Sequence, residues 1–75
     1  MAGSPALKIH NPNGVYIASC KFIEDAAALV ALNGEGSKIK LHGRVVYTEG
    51  VDGSAADSYD AVGRVIDQKI REASK

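Results

Sequence analysis

The side chains in this sequence that could do chemistry fall into two similar groups. They are Lys8, His10 and Tyr16 in the first group, and Lys38, Lys40, His42 and Tyr47 in the second. Lysine can contact a phosphate group, and tyrosine can stack on a nucleic-acid base, as in proteins that bind single strands on a sheet surface. If the two groups share one surface, that surface is a candidate site for single-stranded nucleic acid.

The same residues also have a simpler interpretation. Antiparallel sheets commonly leave one face in water, and lysine, histidine and tyrosine are ordinary residues there. Glu49 is expected on the same face, and the nine basic residues of the chain are balanced by nine acidic ones. No strong overall field therefore attracts nucleic acid or an anionic membrane, and solvation or a dimer contact is the favoured interpretation.

Metal binding and nucleophilic catalysis have little support in the residue spacing. His10, His42 and Cys20 could supply metal ligands, but zinc sites usually contain a close pair such as CxxC or HxxxH, and the sequence has none. Cys20 could act as a nucleophile with a histidine as base, yet no local motif fixes that geometry. We therefore expect no metal, no cofactor and no enzymatic activity.

The first group of side chains is expected on a β-hairpin. The segment Asn11 to Gly14 reads Asn-Pro-Asn-Gly, which suits a type I turn followed by a left-handed glycine. This turn pairs His10 with Tyr16 and Ile9 with Ile17. Alternation then puts one set of residues in the core and leaves Lys8, His10, Tyr16 and Ala18 on the other face. The expected core set is Leu7, Ile9, Val15 and Ile17.

The second group is expected on a second hairpin, closed by a two-residue type II′ turn at Gly43-Arg44. With His42 opposite Val45, Lys40 faces Tyr47 across the hairpin. The outer face then receives Lys38, Lys40, His42, Tyr47 and Glu49. The expected core set is Ile39, Leu41, Val46 and Thr48.

Each hairpin is followed by a helical pattern. The first helix is expected from about Phe22 to the stop signal Asn33-Gly34, and it carries few charges, so apolar surface wraps much of its circumference. The second helix is expected after Ser54, which lies three residues before Asp57 in an imperfect capping box. Its apolar stripe is Tyr59, Val62, Val65, Ile66, Ile70 and Ala73.

A chain of 75 residues with 45% hydrophobic content can build one compact domain. The pattern predicts an α+β fold of order ββαββα: a four-stranded, mainly antiparallel sheet with two helices packed on one face. We expect a single domain over residues 1–75, in which residues 1–6 are disordered and two ββα halves cover about 7–34 and 37–74. The strand order in the sheet cannot be derived from the sequence.

Two long segments, VYIASCKFIEDAAALVALNGEG and VVYTEGVDGSAADSYD, resemble a family of short, uncharacterised bacterial proteins of unknown function. The resemblance covers most of the chain and implies a bacterial cytoplasmic protein, but it implies no role for any residue. A cytoplasmic location also agrees with the single cysteine, which cannot form an internal disulfide. No segment approaches the roughly 18 continuous apolar residues that would cross a membrane.

These observations favour a small non-enzymatic protein that acts as a protein-interaction or homodimerisation module. Its contact surface would be the apolar surplus of the first helix, a free sheet edge or the outer sheet face. The alternative is single-stranded nucleic-acid binding through the lysine, histidine and tyrosine residues of the outer face.

Overall fold

A computed structural model of the chain describes residues 6–54 and 58–73. The elements are β1 (Leu7–His10), β2 (Tyr16–Cys20), α1 (Ile23–Asn33), β3 (Lys38–Leu41), β4 (Arg44–Thr48) and α2 (Tyr59–Ala73). The predicted α+β class and the order ββαββα are confirmed. The predicted disorder of residues 1–6 falls, apart from Ala6, outside the described residues.

The four strands form one antiparallel sheet in the order β2-β1-β3-β4. Strands β1 and β3 are therefore the central pair, and β2 and β4 are the two edges. The two hairpins meet where β1 pairs with β3, with Ile9 directly opposite Ile39. Both isoleucines are fully buried, so the centre of the sheet is also the centre of the core.

Both helices cover the same face of the sheet. Helix α1 packs on β1, β2 and β3, whereas α2 packs on β4 and against α1. A Cβ atom added at Gly63 would lie 3.8 Å from Cγ2 of Ile23, so the two helices approach closely there. The buried apolar residues are Leu7, Ile9, Cys20, Ala26, Ala27, Val30, Ile39, Leu41, Val46, Tyr47, Val62 and Ile66.

The first hairpin confirms the predicted pairing of His10 with Tyr16, but it contains a β-bulge beyond that pair. Ile9 pairs with Ala18, so Ile17 is the extra residue of the bulge. The prediction that Val15 and Ile17 belong to the core is wrong, because they are 56% and 40% exposed. The bulge instead turns Cys20 toward the core, opposite Leu7.

The turn of the first hairpin is held by its first residue. Oδ1 of Asn11 accepts hydrogen bonds from the backbone N–H groups of Asn13 and Val15, both at 2.9 Å. The N–H of Gly14 donates to the carbonyl oxygen of Asn11, also at 2.9 Å. An asparagine side chain that bonds to the backbone in this way replaces part of a turn's own hydrogen bonding, which explains why this segment bends.

The second hairpin differs from the prediction by one residue. Leu41 pairs with Arg44, so the turn residues are His42 and Gly43 rather than Gly43 and Arg44. Their φ values are 53° and 78°, and positive φ at both central residues is the type I′ turn whose twist matches that of the strands. Histidine is one of the side chains found more often than most in this left-handed region.

A β-bulge in β4 completes the change of register. Lys40 pairs with Val45 and Ile39 with Tyr47, which leaves Val46 as the extra residue. Tyr47 therefore points to the helices, and the prediction that it lies on the outer face is wrong. Thr48, predicted in the core, pairs with Lys38 on the outer side and is only partly buried.

The ends of the helices show which side chains act as caps. Helix α1 follows Phe22, as expected, without a side-chain cap, and ends where the N–H of Gly34 donates to the carbonyl of Val30 at 3.0 Å. The N–H of Ala61 donates to Oγ of Ser58 at 3.2 Å. Ser58 therefore acts as a side-chain cap at the start of α2. Residue 57 of the predicted capping box and the side chain of Tyr59 lie outside what the structure describes.

Candidate functional site

The side of the sheet opposite the helices carries two cross-strand rows of side chains. One row runs across the strands as Tyr16, His10, Lys38 and Thr48, and the other as Ser19, Lys8, Lys40 and Val45. We call these two rows the outer face. Because β1 and β3 are the central strands, His10 and the three lysines lie in the middle of this surface and not at its rim.

The predicted site residues divide into three sets. Lys8, His10, Tyr16, Lys38 and Lys40 lie on the outer face, where alternation along the strands predicted them. His42 lies just beyond this face, in the turn that follows β3.

Tyr47 is the site residue that was placed wrongly. It is fully buried at 0% exposure, and its hydroxyl donates a hydrogen bond to Oε1 of Glu49 at 3.0 Å. Ser19 and Thr48 were not predicted on the outer face, because each follows the extra residue of a bulge, and no glycine or other local signal marks either bulge.

The charge of the outer face is uniform. It holds Lys8, Lys38 and Lys40, and none of its described residues carries a carboxylate. Glu49, which was expected there, is instead 1% exposed and bonds to the inward-facing Tyr47. Lys8 lies directly opposite Lys40, and like charges in such a cross-strand pair destabilise a sheet.

A depression of about 400 Å³ opens at one end of the central strands. Its lining consists of Ala6, Lys8, His10, Lys40, His42 and Gly43. We call it the β1–β3 depression. Nδ1 of His10 is buried and has no hydrogen-bond partner among the residues that the structure describes. The charged and imidazole groups around this depression can donate hydrogen bonds, and none of them is a carboxylate.

Tyr16 supplies the aromatic surface of the outer face. Its side chain is 52% exposed, and its hydroxyl shares a hydrogen bond of 2.7 Å with Oγ of Ser19. Its ring packs edge-on against His10, with 5.7 Å between the ring centroids and 62° between the planes. The ring is therefore held in place while about half of its surface stays open to a stacking partner.

Tyr47 and Glu49 form a buried polar pair that ties β4 to the following loop. The N–H of Glu49 donates to the carbonyl of Ser37 at 2.8 Å, and a bridge joins Glu49 to Gly53. A Cβ atom at Gly53 would overlap the Tyr47 hydroxyl. Oε2 of Glu49 accepts no hydrogen bond from any described residue, which is costly for a buried carboxyl group.

The structure separates Cys20 from the histidines that were considered as its partners. Cys20 is buried opposite Leu7 on the helix side of the sheet, whereas His10 lies on the outer face. Burial raises the pKa of the Cys20 thiol, and the negative charge of Asp25 raises it further by a smaller amount. The reactive thiolate is therefore disfavoured. Within residues 6–54 and 58–73, no three His, Cys, Asp or Glu side chains cluster closely enough to hold a metal ion.

Both edge strands are interrupted by the bulges. Val15, Tyr16 and Ile17 give the β2 edge an exposed apolar segment, and Val45 is exposed on β4. Bulges on edge strands work against pairing with another chain.

The described helices include none that is long and apolar enough to cross a membrane.

Comparisons with family models, curated proteins and solved structures find no match to this chain. The residues of the outer face and the interior therefore provide the basis for a proposed function.

Proposed function

We propose that the chain is a non-enzymatic interaction module that binds an anionic partner on the outer face of its sheet. The observation that carries this proposal is the charge of the face: three lysines on the two central strands and no carboxylate among its described residues. Close positive charges repel one another in the free protein. A negatively charged partner would offset that repulsion and gain favourable contacts.

The outer face is a poor surface for homodimerisation. A two-fold symmetric dimer sets the same patch of each copy against itself, so lysines would meet lysines, and such contacts between like charges oppose binding. The first helix gives no substitute, because exposed Phe22 and Leu32 lie at its two ends, about 15 Å apart at 1.5 Å per residue. The exposed apolar segment from Val15 to Ile17 at the β2 edge is a better candidate surface for self-association.

Single-stranded nucleic acid is the partner class that the outer face supports best. Tyr16 offers a half-exposed ring next to His10, and the lysines lie in the same and the adjacent row. Single-strand binders combine aromatic stacking with a positive surface that follows the phosphates. The inward position of Glu49 supports this proposal, because a carboxylate expected on the face is not there.

The proposed place of action is the bacterial cytoplasm. Cys20 is free and buried, which suits a reducing compartment. The resemblance to short bacterial proteins agrees with this location.

A titration of labelled single-stranded RNA and DNA at several salt concentrations tests the proposed function. If the three lysines each neutralise one phosphate, the slope of log K against log salt should be about −2, since each contact contributes about −0.7. Lys38→Gln should weaken binding and make the slope less negative. Tyr16→Ala should weaken binding with little change of slope.

The matched control is Lys21→Gln. Lys21 is exposed, but it lines a groove on the helix side with Phe22, Gly63 and Arg64. Binding should be unchanged in this variant. Absence of binding at low salt, or equal losses in the Lys38 and Lys21 variants, would reject the outer face as the site. If polyglutamate, an acidic peptide, binds more tightly than the oligonucleotides, the partner is an acidic protein and not nucleic acid.

A further inference from the structure

We infer that the β1–β3 depression binds one phosphodiester group of a single strand. This inference rests on the proposed function and makes it more specific, because it names the chemical group and the side chains that receive it. The proposed phosphate ligands are Lys8, His10, Lys40 and His42, and the small residues Ala6 and Gly43 leave the space for the group.

The geometry of the strands brings these four side chains together. Lys8 and Lys40 are directly opposite on the central pair, where neighbouring strands lie about 4.8 Å apart. His10 follows Lys8 by two positions, so alternation puts both on the same face. His42 follows Lys40 by two positions but reaches the depression from the turn, where its φ of 53° departs from strand geometry.

The chemistry of the depression favours an anion. Its lysines and imidazoles offer N–H donors, the buried Nδ1 of His10 has no partner among the described residues, and no carboxylate lines the depression. The oxygens of a phosphodiester would accept hydrogen bonds from the accessible lysine and imidazole groups and would also reduce the repulsion between Lys8 and Lys40.

The neighbourhood of the depression favours a phosphate that carries a base over the carboxylate of an acidic peptide. His10 lines the depression and also packs against the Tyr16 ring, with 5.7 Å between their centroids. A nucleotide whose phosphate occupies the depression therefore has an exposed aromatic surface beside it. Stacking on that ring gives a nucleotide a favourable contact that a carboxylate side chain lacks.

The test uses the full chain and two probes: dimethyl phosphate, which is a phosphodiester without a base, and a short single-stranded oligonucleotide. Both are titrated by NMR while the imidazole resonances are followed. Dimethyl phosphate should shift the resonances of His10 and His42 more than sodium chloride does at equal ionic strength.

One variant and one control test the phosphate ligands. His42→Asn keeps a residue that accepts a left-handed turn, so the hairpin should remain folded while the imidazole is lost. It should weaken oligonucleotide binding by at least about threefold, as expected for the loss of an exposed polar contact to a phosphate. Lys21→Gln, on the helix side of the sheet, should leave binding unchanged.

The possible failures can be told apart. If the oligonucleotide binds and Lys38→Gln weakens it, but His42→Asn does not, the depression is not a phosphate site although the outer face still binds. If dimethyl phosphate shifts no histidine beyond the chloride effect, the inference is also overturned. If the histidines respond to dimethyl phosphate but no oligonucleotide binds, the anion site stands and the nucleic-acid partner is rejected.

Discussion

The two hairpins have similar sequences but place their tyrosines on opposite faces of the sheet. Lys8-Ile9-His10 and Val15-Tyr16 in the first correspond to Lys40-Leu41-His42 and Val46-Tyr47 in the second. In the first hairpin Tyr16 comes before the extra residue of the bulge, Ile17, whereas in the second hairpin Tyr47 comes after the extra residue, Val46. One extra residue reverses the face of every side chain that follows it, so similar segments do not have equivalent positions.

Because of this difference, one hairpin contributes its tyrosine to the outer face and the other contributes its tyrosine to the core. The first contributes Tyr16 to the surface that faces a partner. The second contributes Tyr47 and Glu49 to the interior, and this leaves the outer face without a carboxylate among its described residues. The second hairpin contributes Lys38, Lys40, Val45 and Thr48 to the outer face. The binding surface therefore depends on the register of that hairpin.

The largest contrast should come from truncating the two tyrosines. Tyr47→Ala removes a fully buried ring and the hydroxyl that donates to Glu49, so it should lower the free energy of unfolding by about 3–5 kcal/mol. Tyr16→Ala removes a half-exposed ring and should cost less than about 1 kcal/mol. Urea denaturation followed by circular dichroism measures both. Equal losses would show that the hairpins are equivalent after all.

The close approach of Gly53 to Tyr47 gives a second test of the inward tyrosine. Gly53→Ala should lower the free energy of unfolding by about 1–3 kcal/mol, because its Cβ overlaps the Tyr47 hydroxyl. In a Tyr47→Phe background the same change should cost less. A double-mutant cycle in urea measures this coupling, and additive effects of the two substitutions would contradict the described packing.

The two bulge residues provide a smaller contrast. Val46 is 6% exposed and Ile17 is 40% exposed, so Val46→Ala should cost about 1–2 kcal/mol and Ile17→Ala less than about 1 kcal/mol. Thermal and urea unfolding of the two variants give the comparison. A greater loss for Ile17 would indicate that β2 is paired in the register without a bulge.

The smallest effect concerns the lysines that face each other on the central strands. Lys40→Gln should stabilise the protein by a few tenths of a kcal/mol at low salt, because it removes the repulsion with Lys8. The gain should disappear as salt screens the charges. Lys21→Gln, which alters a lysine on the helix side, should show no such gain. A salt-independent effect of Lys40→Gln would mean that repulsion is not its cause.

Most of the architecture could be predicted because it follows from local patterns. The change from alternating to helical periodicity locates all six elements, and the Asn-Pro-Asn-Gly turn correctly pairs His10 with Tyr16. The bulges at Ile17 and Val46 could not be predicted, since neither has a glycine or another local signal. Those bulges explain the errors at Ile17, Tyr47, Thr48 and Glu49.

The strand order escaped prediction for a different reason. Strands β1 and β3 pair although β2 and α1 lie between them in the sequence. No short turn connects the two strands, so no local sequence signal predicts that they are neighbours. The contact of Ser58 with the N–H of Ala61 was also not predicted, because it depends on α2 beginning at Tyr59 and the sequence alone did not fix that starting point.

The bulges lie on β2 and β4, whereas β1 and β3 are regular along their shared border. If the chain were cut between Gly34 and Ser37 and the two pieces were separated, each piece would expose a regular strand edge with unpaired backbone donors and acceptors. Each piece alone should aggregate, and the two should recombine when mixed, so we expect the molecule to unfold as one cooperative unit and not as two linked ββα modules.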